Sequence, residues 1–123
     1  MPYGYTLSLD MNNCNSEKFN RIDLAEFLNE LCEKIDMTPE KLVWWDYENE
    51  NKADLIDEPD HLVGTSVVQF ITTSSIVIHT LDRLKKVYID LFSCKVFSDN
   101  IVAKFCEEYF SGEISNRHYY ERI

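Results

Sequence analysis

Apolar and polar residues alternate from Tyr3 to Asp10, with Tyr3, Tyr5, Leu7 and Leu9 on one face, which predicts a half-buried strand. The turn residues Asn12, Asn13, Asn15 and Ser16 surround Cys14 and end it. From Ile22 to Met37 the period changes. Leu24, Phe27, Leu28, Leu31 and Ile35 fall at helical spacing and form one apolar stripe. Thr38-Pro39-Glu40 reads as a helix stop and turn, and the short aromatic run Leu42 to Tyr47 as a second strand. Glu48 to Asp60 is acidic and aperiodic, which predicts an exposed loop. Three segments rich in β-branched residues follow: Val67 to Thr72, Ser75 to Thr80 and Val87 to Ser93. Asp82 to Lys86 is a polar connection that makes the last two a hairpin. Ser98-Asp99-Asn100 opens a second helix with Ile101, Phe105 and Tyr109 on its buried face, and Gly112 closes it. Glu113 to Ile123 returns as a final strand. Strands grouped around two helices predict an α+β fold: a two-layer sandwich, mainly antiparallel, with both helices on one face of the sheet.

The length of 123 residues fits one domain spanning 1–123. A formal net charge of -10 argues against nucleic-acid binding, which needs a basic footprint, and suits a small cationic ligand. No segment approaches the roughly 20 apolar residues needed to span a bilayer, and the first residues lack the basic and apolar regions of a signal peptide, so no membrane partner is expected. Four cysteines without a CxxC pair fit neither a zinc site nor a redox motif, so no metal is expected. Cys32 and Cys106 read as buried hydrophobes. In a reducing, cytoplasmic setting Cys14 and Cys94 are expected to be free thiols.

Few residues stand out chemically, and each alone has a plain structural reading. His79 sits in a strand on the face of Ser75 and Val77, Cys94 ends a strand, and Thr72-Thr73-Ser74-Ser75 is a polar turn. Their order and spacing say more. Gly64-Thr65-Ser66, Ser74 eight residues after Ser66, Ile78-His79-Thr80 with its histidine five residues after Ser74, and Ile89-Asp90-Leu91-Phe92-Ser93-Cys94 follow one another. This succession resembles the bacterial and archaeal S-adenosylmethionine decarboxylases, and the likeness extends over the opening strand and both helices.

The resemblance implies a self-processing enzyme that makes its own pyruvoyl cofactor. Ser74 would attack the Thr73 carbonyl, and elimination would leave a β chain of residues 1–73 and an α chain beginning with pyruvoyl at position 74. Ser66 matches the serine that stabilises the cyclic intermediate, and His79 the base that removes the Cα proton. The pyruvoyl carbonyl would form a Schiff base with the substrate amine, and Cys94 matches the proton donor to the product carbon. The product would be decarboxylated S-adenosylmethionine, the aminopropyl donor for spermidine. A homodimer is expected on the same ground.

The chain departs from the family at several places. Thr73 replaces the glutamate before the reactive serine, Ser75 replaces the histidine after it, and Leu81-Asp82-Arg83 replaces Trp-Pro-Glu. The family's glutamate holds the ribose; Asp82 is the candidate to do so here, since Arg83 accepts no hydrogen bonds. Trp44, Trp45, Tyr47 and Phe70 are all candidates to stack on adenine. Three readings follow: a decarboxylase of S-adenosylmethionine with a variant junction, an unprocessed homologue that binds a ligand or partner subunit, and a pyruvoyl decarboxylase of ornithine or arginine. The joint presence of Ser66, Ser74, His79 and Cys94 favours an enzyme, and Thr73 favours the unprocessed homologue.

Overall fold

A computed structural model describes residues 1–47 and 55–123. Six strands form one antiparallel sheet: β1 (Gly4–Asn12), β2 (Pro39–Trp45), β3 (Ser66–Ile71), β4 (Ser74–Leu81), β5 (Lys86–Ser93) and β6 (Glu113–Arg122), in the order β2-β3-β4-β5-β1-β6. Helices α1 (Arg21–Lys34) and α2 (Asp99–Phe110) cover one face. The α+β sandwich expected from the sequence is the observed fold.

The period-2 pattern sets the register of the layers. Leu7, Leu9 and Met11 of β1, Ile76 and Ile78 of β4, and Val87, Ile89 and Leu91 of β5 point to the helices and are almost wholly buried. Above them Leu24, Phe27, Leu28 and Leu31 of α1 meet Val102, Phe105, Cys106 and Phe110 of α2. Phe27 is the hub, with ring centroids 5.2 Å from Phe105 and 4.8 Å from Phe110.

Several local expectations need correction. Helix α1 stops at Lys34, short of Met37, because Asp36 takes a left-handed φ of 55° and turns the chain. Thr38-Pro39-Glu40 is not a turn: Pro39 begins β2, an edge strand that tolerates a missing N–H at its first residue. Ile101 is half exposed, and the buried stripe of α2 runs through Val102, Phe105, Cys106 and Phe110, with Tyr109 packed at its margin. The helix closes one residue before Gly112, where Ser111 adopts the left-handed conformation. Residues 48–54 of the acidic loop lie outside the described residues; the remainder includes one short helical turn, Asp60–Leu62.

The face of the sheet opposite the helices carries Val43, Trp45, Phe70 and Tyr120, each 44% exposed or more, interleaved with Ser8, Asp10, His79 and Asp90. No helix among the described residues is long and apolar enough to cross a membrane.

Candidate active site

Strands β3 and β4 form a tight hairpin in which Ile71 pairs with Ser74, so Thr72 and Thr73 alone make the turn. Thr73 has φ 54°, a left-handed conformation that its branched Cβ disfavours. The bond joining Thr73 to Ser74 therefore lies at a strained corner. Ser74 is nearly buried, and its Oγ accepts a 3.0 Å hydrogen bond from the Cys94 N–H just beyond β5. The Cys94 thiol has a pKa below its ordinary value, chiefly through the Thr73 hydroxyl and then that of Ser74. Ser74 and Cys94 open onto a cavity of about 250 Å³ whose far wall is Asp36, Met37 and Thr38 beyond the end of α1.

Ser66 and His79 also meet, but elsewhere. They face each other across the β3–β4 register, and Ser66 Oγ lies 2.7 Å from His79 Nδ1. Only glycine fits at position 64, since a Cβ there would stand 1.7 Å from the Thr80 carbonyl oxygen; this explains the glycine that precedes Ser66 by two. His79 lies five residues along β4 from Ser74, roughly 17 Å at the rise of a strand. The odd separation also puts it on the helix-free face, whereas Ser74 has the parity of the helix-facing Ile76 and Ile78. A second cavity of about 210 Å³ adjoins Ser66 and His79, with Trp45, Tyr47 and His61 in its wall.

The four residues thus fall into two clusters: a serine and an acidified thiol at the β3–β4 turn, and a serine–histidine pair at the opposite end of the same hairpin. Sequence spacing linked all four residues but carried no information on this division. It also missed Asp36, Met37 and Lys95 in the first cavity, which the turn after α1 and the turn after β5 bring there.

The other candidates separate as well. Trp45 and Tyr47 line the second cavity, Trp44 stacks against Arg21, and Phe70 lies half exposed on the helix-free face. Asp82 lines neither cavity: its backbone N–H donates to the Val63 carbonyl and its carboxylate accepts from Thr80. Arg83 donates to the carbonyls of Leu55 and Glu58 and pairs with Asp60, so it fastens the loop before β3. Cys14 is not an available thiol; burial beneath the sheet end pushes it up to about 11. Cys32 and Cys106 are buried as expected.

The family model described as S-adenosylmethionine decarboxylase matches residues 5–123. Among solved structures, the chain is similar to the adenosylmethionine decarboxylase of Aquifex aeolicus VF5, with a TM-score of 0.72 over 98% of this chain and 91% of that one, at 15% identity. That likeness is one of fold. No curated protein sequence matches the chain.

Proposed function

Because the chain belongs to the S-adenosylmethionine decarboxylase family, we propose that it cleaves itself between Thr73 and Ser74 and decarboxylates S-adenosylmethionine in the cytoplasm, providing the aminopropyl donor for spermidine. The observation that carries this reading is the placement of Ser74: on a strained two-residue turn, beside an acidified thiol, at the wall of a cavity. The same placement fits a pyruvoyl group made from Ser74, because position 74 meets both the cavity and Cys94.

Cleavage begins when Ser74 Oγ adds to the Thr73 carbonyl carbon. The carbon–nitrogen bond breaks, the Ser74 nitrogen takes up a proton, and an ester replaces the amide. Loss of the Ser74 Cα proton then expels the Thr73 carboxylate as the new C-terminus of residues 1–73. Water hydrolyses the remaining enamine, ammonia leaves, and the pyruvoyl group stands at position 74. The pyruvoyl carbonyl supplies the electron-withdrawing centre for loss of carbon dioxide from a bound amino acid. Cys94 carries the proton for the product carbon, and its lowered pKa makes that proton easy to release.

His79 and Ser66 are the base and the stabilising hydroxyl of the cleavage. Neither reaches the Thr73–Ser74 bond of its own hairpin in this conformation, so the reading includes a homodimer. In it the Ser66–His79 pair of one copy serves the turn of the other, with the apolar residues of the helix-free face providing the contact.

A second reading draws on Arg83. By sequence position it aligns with the ribose-binding glutamate that the resemblance implies, and its guanidinium is engaged by loop carbonyls. This supports a substrate without a ribose, such as ornithine or arginine, whereas Thr73 at the junction supports an unprocessed binding homologue. Denaturing mass spectrometry of fresh protein decides first. Two fragments meeting at Thr73/Ser74, with a pyruvoyl mass on the second, support cleavage; one stable 14.5 kDa chain refutes it. Carbon dioxide release from S-adenosylmethionine, set against ornithine and arginine, then identifies the substrate.

A further inference from the structure

We infer that Lys95 is the specificity-determining residue that binds the substrate's α-carboxylate in the cavity of Ser74 and Cys94. The inference rests on the decarboxylase reading and deepens it. Among the described residues lining that cavity Lys95 is the one cation, and it directly follows the thiol.

Its backbone is fixed. Buried Ser93 accepts a 3.0 Å hydrogen bond from the Lys95 N–H and donates at 2.7 Å to the Lys95 carbonyl. Its side chain is held much less firmly. The ammonium donates to the Asp36 carbonyl and lies 3.6 Å from the Asp36 carboxylate, which is fully exposed, while Lys95 is itself about half exposed. Such a pair is weak in water, so an entering carboxylate can replace it at little cost.

The rest of the wall offers a carboxylate less. Ile71 and Met37 are apolar, and Thr38, Thr72 and Ser74 are neutral hydroxyls. In a chain of net charge -10, a cation beside the reacting residues also opposes a substrate bearing an ammonium and a sulfonium. Only the carboxylate end gains from Lys95. The cation therefore orients the amino acid, with the group to be lost toward Lys95 and the amine toward position 74. Because the carboxylate keeps part of its charge until the carbon–carbon bond has broken, this contact binds the ground state at least as strongly as the transition state, so it lowers KM without raising kcat.

The test compares Lys95→Met with the unaltered protein, using S-adenosylmethionine in steady-state kinetics and its decarboxylated product in calorimetric titration. Loss of a charge-assisted contact predicts a KM raised about ten-fold with kcat unchanged or higher. The product lacks the carboxylate, so its Kd should move less than about two-fold, and Lys95→Arg should restore KM. An active protein whose KM is unmoved in Lys95→Met overturns the assignment alone. A parallel rise in KM and product Kd also overturns it, by showing a structural role. An unaltered protein that stays uncut and binds neither compound refutes the decarboxylase reading, and this inference with it.

Discussion

At the residue scale the chemistry turns on Thr73. Its hydroxyl is the leading cause of the lowered pKa of the Cys94 thiol. Cys14, Cys32 and Cys106 are buried and shifted upward, so Cys94 is expected to react first with iodoacetamide at neutral pH, as peptide mapping would show. The alkylation rate should rise with pH through a midpoint below the ordinary thiol value of 9.0. In Thr73→Val the thiolate loses its main hydrogen-bond partner, so the midpoint moves up. The left-handed φ of Thr73 makes a separate prediction. Asparagine accepts that conformation more readily, so Thr73→Asn should stabilise the uncut chain by about 0.5–1 kcal/mol in urea unfolding and slow cleavage by relieving strain. Sequence disclosed the identity of Thr73 but not this backbone conformation, which follows from the two-residue closure of the β3–β4 hairpin.

At the scale of elements, what was legible depended on whether the signal was local. Apolar periods located both helices and β1, because burying one face demands that pattern whatever the partner; an aromatic run marked β2, β-branched content marked β3 to β5, and its place after Gly112 marked β6. Boundaries were less legible where a cap or pairing partner decides them. Asp36 ends α1 through a backbone conformation with no glycine to announce it, and Pro39 enters a strand because an edge position leaves its nitrogen unpaired. The start of α1 does carry a residue signature. Asn20 accepts a 2.9 Å hydrogen bond from the Asp23 N–H while its amide donates to the Glu17 carbonyl, joining the short helical turn Ser16–Lys18 to α1. Asn20→Ala should therefore cost about 1 kcal/mol of unfolding free energy, measurable by denaturant titration. Asn20→Ser, which keeps an oxygen acceptor for the Asp23 N–H, should cost less.

At the scale of the whole molecule, antiparallel pairing places residues by register, and register divides the four motif residues in two: Ser74 at the β3–β4 turn with Cys94 beside it from the end of β5, and Ser66 with His79 at the far end of that hairpin. Ser74 pairs with Ile71 beside the turn, while His79 pairs with Ser66 at the far end and on the other face. Motif spacing in a sequence cannot distinguish residues that meet within a chain from residues that meet between two copies, since both keep the same numbers. Under the dimer reading, Ser74→Ala lacks the nucleophile and His79→Ala lacks the base, so each alone should remain uncut. Mixed by co-expression, they form a heterodimer with one composite site: Ser74 from the His79→Ala chain and His79 from the Ser74→Ala chain. Mass spectrometry should then show cleavage at Thr73/Ser74 only in the His79→Ala chain, reaching about half of it if chains pair at random and cleavage is complete. If neither chain is cut in the mixture while the unaltered protein cuts itself, His79 acts within its own chain. The hairpin would then have to rearrange before cleavage, and the separation seen here would belong to the resting precursor.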